Sequence, residues 1–262
     1  MSLDEFRRQA RGRQAAAYLD FFAPVTELFL PALAERLGSG PGVALDLACG
    51  DGRLATRLRS TGWSVVALDR SMEMVWAARA AGLPSPVAGD ACALPLRTGA
   101  VDAVGAAFVL PHLPQLPVAL AEIRRVLAPG GPVALTGWTD PATSPLTGLL
   151  TQLLLGRADA DTLAGLRAAE DRSDAEPVLA ALRAAGFTEQ RAGAVTGTVA
   201  IASPATWWTG LVTGSFGIGQ VVNAQPPAVQ QALRADFLAM AEDFSIGDGL
   251  LVPVAAHVIS AR

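Results

Sequence analysis

The 262-residue sequence predicts an α/β fold: a doubly wound, mainly parallel sheet of seven strands, with N-terminal helices before it and a helical cap inserted after the fifth strand. Three observations carry this. Residues 43–55 read Val-Ala-Leu-Asp-Leu-Ala-Cys-Gly-Asp-Gly-Arg-Leu-Ala, an apolar run that ends in a glycine turn and passes straight into helix formers. Between residues 43 and 138 short apolar runs alternate with helical patterns, and five strand–helix units in about 100 residues call for parallel strands joined by crossovers. Beyond residue 139 the apolar stretches lengthen to helical size before strand patterns return.

Taken in order, residues 4–22 and 25–37 read as two helices broken near Pro24, followed by the loop Gly38-Ser39-Gly40-Pro41-Gly42. Strand one is 43–48 and its helix 52–60; strand two is 64–68, closed by Asp69, and Ser71 caps a helix through Ala81. Residues 85–88 are a short third strand, 101–108 a fourth, 117–127 a helix, and 133–138 a fifth strand after the turn Ala128-Pro129-Gly130-Gly131. An apolar helix (146–155) and a polar linker lead to a helix at 174–185, stopped by Gly186. Strand six falls within 187–202, helices within 203–212 and 226–244, and a last strand at 250–261. The division expected is one domain over 1–262: a helical lid (1–40), a cofactor-binding core (41–138), cap insertions (139–175 and 203–249) and final strands (176–202 and 250–262).

Composition sets limits on partners. With 51% hydrophobic residues the chain can bury a full core. The net charge is −4 and every basic residue is Arg, so no dense cationic field is available for a nucleic-acid backbone. Cys49 and Cys92, 43 positions apart, suit reduced thiols in a cytoplasmic compartment better than a disulfide framework. The charged N-terminus lacks the order of a secretory signal, and the apolar segments are broken before membrane-spanning length, so no membrane partner is expected. Richness in Ala, Arg, Gly and Pro without Lys is the mark of a GC-rich bacterial genome.

Gly50-Asp51-Gly52-Arg53-Leu54-Ala55 fits G-x-G-x-x-A, a pattern shared by several nucleotide sites. Asp46 separates them: a carboxylate in the strand ahead of the turn repels a pyrophosphate but suits a ligand with an ammonium or sulfonium. The competing reading has Asp46 brace the turn through backbone hydrogen bonds. Asp69, 19 positions after Gly50, stands where an acidic residue reaches ribose hydroxyls, or alternatively caps the next helix.

The chain from about residue 40 to 138 resembles the class I S-adenosylmethionine-dependent methyltransferases, especially the ubiquinone/menaquinone-biosynthesis and small-molecule branch, whose fold is Rossmann-like. The resemblance rests on residues 45–52, Asp69, Gly89-Asp90-Ala91 with Leu94-Pro95-Leu96, Val101-Asp102-Ala103-Val104, and the run from Glu122 to Gly131. It implies that S-adenosylmethionine is the cofactor. Ala48, Gly50 and Gly52 then line its methionine part and Asp46 takes its amino group; Asp69, with Arg70 beside it, holds the ribose. Met72 packs on the adenine, Asp90 and Ala91 take the adenine edge, and Phe108 with Val109 closes the floor beneath the methyl donor. Plain core packing is the other reading of Met72 and Phe108. Tyr18, the sole tyrosine, occupies the place of an N-terminal aromatic that covers the cofactor. The Asn/Asp-Pro-Pro-aromatic signature of enzymes that methylate base amines is replaced by Phe108-Val109-Leu110-Pro111-His112. Arg124 and Arg125 read as a solvated helix face, and no His/Cys/Asp/Glu cluster has metal-ligand spacing, so no metal is expected.

An oxygen or nitrogen nucleophile needs a base near neutral pH, and His112, just past strand four, is the histidine placed to serve; a structural bond to backbone is the equal alternative. His257 lies in the last strand and reads as structural. Trp138, Trp207 and Trp208 are the candidate walls of an apolar acceptor pocket, and the leucine-rich helix 146–155 either lines it too or, at least equally, is core or a homodimer contact. The C-terminal pattern, Ser203-Pro204 with Trp207-Trp208 and later Gly247-Asp248-Gly249, is similar to small-molecule methyltransferases of high-GC bacteria and points to natural-product or quinone-like substrates. Three functions stay open: methyl transfer, most simply to oxygen, on a small apolar or aromatic acceptor; a cyclase or other isomerising enzyme on the same fold that transfers no methyl; and a nicotinamide oxidoreductase, which Asp46 disfavours.

Overall fold

A computed structural model of the chain describes residues 3–113, 115–141, 143–157, 174–215 and 217–262, with side chains from residue 14 onward. The strands are β1 (Val43–Leu47), β2 (Ser64–Asp69), β3 (Val87–Ala88), β4 (Ala103–Ala106), β5 (Val133–Trp138), β6 (Arg191–Ile201), β7 (Ser245–Ile246) and β8 (Gly249–Ala261). They form one sheet in the order β3-β2-β1-β4-β5-β8-β6, with β7 paired to β8. From β3 to β5 every pairing is parallel, and β8 runs antiparallel to β5, with Val133 opposite Ala261 and Trp138 opposite Ala256. Strand order reverses at β1, which has β2 on one side and β4 on the other. In a doubly wound sheet that reversal opens a crevice at the carboxyl ends of the strands.

Helices α1 (Leu3–Glu27) and α2 (Leu30–Leu37) precede β1, α3 (Arg53–Ser60) and α4 (Met72–Ala80) follow β1 and β2, and α5 (Leu116–Val126) lies between β4 and β5. They are followed by α6 (Pro145–Leu155), α7 (Ala175–Ala184), α8 (Pro204–Gly214), α9 (Ile218–Ala224) and α10 (Pro227–Ala241). The chain divides into two compact units. The sheet unit comprises Thr26–Trp138, Asp171–Val195 and Ala256–Arg262; the helical unit comprises Met1–Val25, Thr139–Glu170 and Thr196–Ala255.

Strand alternation explains the sheet unit's core. In β1, Leu45 and Leu47 face one way, into a cluster with Leu68, Val104, Leu120, Ile123 and Ile259. Ala44 faces the other way, among Leu33, Leu37, Leu54 and Leu58 of α2 and α3. Each fully buried leucine contributes roughly 1.5–3 kcal/mol relative to exposure. Asp46 shares the face of Ala44 and points its carboxylate at α3, a placement that only function or a strong hydrogen bond can repay.

In the helical unit Trp207 is the anchor. It is fully buried, its indole N–H donates to the Leu146 carbonyl at 2.8 Å, and its ring meets Phe237 and Phe244 edge-on at 5.1 and 5.5 Å. Gly210 on α8 is obligatory, because a Cβ there would lie 2.1 Å from the Phe21 ring.

Several expected boundaries shift for physical reasons. Helix α1 continues through Pro24 to Glu27, and the break falls at Leu28–Phe29. Pro24 removes one backbone donor, but Phe22, Ala23 and Val25 around it are buried to 4% exposure or less, and packing outweighs that loss. The third strand shrinks to Val87–Ala88 because Pro86 lacks a donor and Ser85 has φ +53°. Strand β4 ends at Ala106, since the chain turns into the left-handed region at Phe108. Helix α9 and strand β7 had no counterpart in the sequence reading. The polar linker expected before Asp174 lies outside the described residues over 158–173. Among the described residues, no single helix is long and apolar enough to cross a membrane.

Candidate functional site

The turn after β1 is built from left-handed backbone: Ala48, Gly50 and Gly52 have φ of +58°, +55° and +86°. Gly52 is required by packing, because a Cβ there would stand 1.9 Å from Leu83 Cδ1; it lets the start of α3 pack against Leu83, just past α4. Gly50 is different. A Cβ on it would meet nothing within 4 Å, so open ground lies before it that a side chain would fill.

Two carboxylates frame this turn. Asp69, at the end of β2, accepts from the Gly50 amide on Oδ2 at 2.9 Å and from the Ser71 amide on Oδ1 at 2.8 Å. Burial raises its pKa, against the lowering effect of the Ser71, Gly50 and Arg70 amides. Ser71 takes the N-cap of α4 through its Oγ, so Asp69 is not needed for that role. Asp46 Oδ2 accepts from the Ala55 amide at 2.8 Å, while Oδ1 is buried with no hydrogen-bond partner. Burial pushes the Asp46 carboxyl up to about 7, with the charges of Asp69 and Asp51 adding to the rise and the Ala55 bond opposing it. Cys49 between them is buried, and burial together with the same two carboxylates raises its thiol further still from the thiolate.

The remaining expected residues distribute clearly. Gly89 donates to the Asp69 carbonyl at 3.0 Å, which sets Asp90 and Ala91 beside the end of β2; Asp90 Oδ1 accepts from the Cys92 amide at 2.9 Å. Met72 opens α4 at 43% exposure, and Arg70 is exposed. Phe108 and Val109 are buried just beyond β4, the strand that pairs with β1. His112 ends a 3₁₀ turn (Leu110–His112) at the same end of β4, is exposed, and donates its amide to the Val109 carbonyl at 2.8 Å. Trp138 closes β5. Tyr18, Trp207 and Trp208 belong to the helical unit, where Tyr18 stacks on Phe22 at 5.8 Å and Trp208 packs on Phe237 at 5.5 Å. His257 lies 3.5 Å from Asp174 on the sheet unit.

Three features were not read from the sequence. Arg53, the first residue of α3, donates Nε to Asp51 at 2.9 Å and bridges with its other arm to Glu27, tying the end of α1 to the glycine turn. Arg125 is no mere solvated face. It pairs with Glu122 and donates to the Leu94 and Leu96 carbonyls at 3.0 and 2.7 Å, while Glu122 accepts from the Leu94 amide, so the pair pins the 94–96 loop. Arg124 lies over the Phe187 ring at 5.6 Å. The third feature is an aromatic cluster. The rings of Phe108 and Trp138 are 4.3 Å apart with 41° between their planes, and Phe29 meets them at 5.6 and 6.2 Å.

A sheet whose order reverses at β1, a glycine turn and a buried carboxylate oxygen without a hydrogen-bond partner mark a doubly wound protein whose candidate ligand site lies at the carboxyl end of β1. Residues 45–135 match the methyltransferase domain family. A nocamycin O-methyltransferase of Saccharothrix syringae is 33% identical over 196 residues, 67% of this chain and 69% of the relative. A demethylmenaquinone methyltransferase of Renibacterium salmoninarum is 33% identical over 125 residues, 47% of this chain and 53% of the relative. The chain thus spans about half the length of the demethylmenaquinone methyltransferases it matches. In fold it is similar to a putative methyltransferase of Bacillus halodurans, with TM-score 0.58 and 19% identity over 89% of this chain and 97% of that one. The chain belongs to the class I S-adenosylmethionine-dependent methyltransferases.

Proposed function

We propose that this protein transfers the methyl group of S-adenosylmethionine to an oxygen of a small, apolar or aromatic acceptor, in natural-product or quinone-like chemistry. The observation that carries the cofactor assignment is the unpaired, buried Asp46 Oδ1, on the strand that leads into the turn at Gly50. A buried acceptor without a donor costs about 1–3 kcal/mol, and more when charged, so an ammonium arriving there repays a standing cost. The donor set fits the rest of the molecule: Asp69 would hold the ribose, Met72 the adenine face, and Asp90 with Ala91 the adenine edge. Oxygen as the accepting atom is supported by the likeness to the nocamycin O-methyltransferase.

When bound, the cofactor supplies an electrophilic methyl on a good leaving group. The chain's task is then to hold an oxygen in line with that methyl and exclude water, and such positioning is worth roughly 7–11 kcal/mol in favourable cases. Phe108 and Val109, buried past β4, keep water from beneath the reacting centre. His112, at the same strand end, accepts the proton of the acceptor's hydroxyl as attack proceeds. A positioned base contributes about 10²–10⁴-fold.

Methyl-labelled S-adenosylmethionine incubated with a panel of small phenols, quinols and carboxylic acids tests the reading. Labelled ether or ester is expected, with turnover in His112→Ala down at least about hundredfold and cofactor affinity by calorimetry nearly intact. Conversion of an acceptor without label would replace methyl transfer with a cyclase-type reaction. Unchanged turnover in the variant would end the base role.

A further inference from the structure

The carboxyl edge of the sheet unit changes character along its length. In sheet order, Asp69 closes β2, the glycine turn follows β1, Phe108 lies just past β4, and Trp138 ends β5. With Asp69 holding the nucleoside at the end of β2 and the glycine turn holding the methionine part at β1, the free carboxyl ends beside them would be those of β4 and β5, where Phe108 and Trp138 stand.

Those two rings pack at a tilt, and their exposure is graded. Phe29 is fully buried, Phe108 is 5% exposed, and Trp138 is half-buried, so exposure rises from Phe29 outward and the indole is the outermost ring of the three. A tryptophan used only as core is seen elsewhere in the same chain, where Trp207 is fully enclosed. Phe108 is also held in a backbone conformation unfavourable for an aromatic residue, φ +55°. Its amide donates to both the hydroxyl and the carbonyl of Thr136, at 3.0 and 3.2 Å, and Thr136 sits on β5 two residues before Trp138. Strain of this kind persists where the surroundings enforce it, and here it sets the Phe108 ring behind the indole at 4.3 Å. The result is an indole packed on the Phe108 ring, with 41° between the two planes.

We propose that Trp138, backed by Phe108 and Phe29, is the stacking surface for the acceptor and restricts it to planar, conjugated rings. This rests on the methyl-transfer reading for its meaning, though not for its test. An indole face attracts another aromatic ring in offset or edge geometry beyond what buried area gives, by about two- to tenfold in affinity, and offers a saturated ring no such gain.

The probes are 1-naphthol and decahydro-1-naphthol, which share a ring skeleton and a hydroxyl but differ in planarity. Their affinities are measured by calorimetry on the full chain, with and without saturating S-adenosylhomocysteine. The wild type is expected to prefer 1-naphthol by at least about twofold. Trp138→Leu erases the preference, Trp138→Phe keeps most of it, and both variants bind S-adenosylhomocysteine as the wild type does. Equal binding of the two probes by the wild type, no binding of either, or a preference that survives in Trp138→Leu overturns the proposal. So does a Trp138→Leu variant that loses S-adenosylhomocysteine along with naphthol, since the indole is then a structural support. Failure of methyl transfer itself shows separately, as absence of labelled product with ring selectivity intact.

Discussion

At the carboxyl ends of β1 and β2 the sheet presents buried carboxylates and left-handed backbone, whereas at β4 and β5 the same edge presents a cluster of aromatic rings in tilted and edge-on contact. The first region is costly to fold: Asp46 carries an unpaired oxygen, and Ala48 adopts a conformation that L-residues avoid. The second is cheap apart from Phe108. The contrast fits a division of labour. A ligand of fixed structure warrants fixed charges and directed amides, which discriminate sharply, while a face that sorts among related acceptors works with area and shape, which discriminate gently.

The sharpest way to break this contrast is Asp69→Ala. Removing an acceptor for two ribose hydroxyls, each worth about 1.5–3 kcal/mol to a charged group, lowers S-adenosylmethionine affinity about hundredfold or more by calorimetry. Naphthol binding in the absence of cofactor stays as it was. Equal loss of both ligands would show that the two regions are one.

Asp46→Asn has the next largest effect, and it is pH-dependent. In the folded chain the Asp46 carboxyl titrates at about 7, against 3.8 for an unperturbed aspartate. The folded state keeps this proton where the unfolded chain has lost it. The stability it contributes is complete below the lower value and is lost as pH rises through about 7, to the extent of roughly 4 kcal/mol at about 1.4 kcal/mol per unit. Asn retains an oxygen for the Ala55 amide and has no such proton, so the fall in melting temperature of the cofactor-free protein from pH 5 to 8 flattens in the variant. Cofactor affinity behaves oppositely, because the ammonium needs the ionised carboxylate. In the wild type it rises up to about tenfold per unit until near pH 7, then levels; in Asp46→Asn it is low and flat. Parallel melting profiles for the two proteins would remove the buried charge from this account.

Met72→Ala is the mildest. At 43% exposure the side chain supports little of the fold, so the variant melts within about 2 °C of the wild type and loses a few-fold in cofactor affinity, the worth of a thioether on an aromatic face. A large drop in stability with affinity unchanged would return Met72 to the core.

The two regions also differ in how far they were legible. Glycine and aspartate announce a turn like 46–52 because few other residues tolerate its backbone or supply its charge, and its contacts are largely local. The alternation of strands and helices up to Trp138 was readable for the same reason. The aromatic cluster joins residues 29, 108 and 138, and its key conformation falls on a phenylalanine, a residue type that gives no sign of positive φ. The Arg53–Glu27 bridge likewise spans 26 positions, and nothing in either residue names the other. Pro24 misled because a helix tolerates a missing donor when its neighbours are well packed. The helical unit was the least legible: its helices are apolar on much of their surface, so periodicity marks their existence but not which of two adjacent tryptophans anchors the core.

Cys49 has a consequence of a different kind. It sits in the very turn that, on the reading above, cradles an alkylating agent, and a thiolate is among the best nucleophiles a protein owns. Its Sγ lies 3.7 Å from the Gly50 carbonyl, toward which its proton points, and burial between two acidic neighbours keeps that proton in place. The carboxylates proposed to hold the methyl donor would thereby also protect the protein from being modified by it.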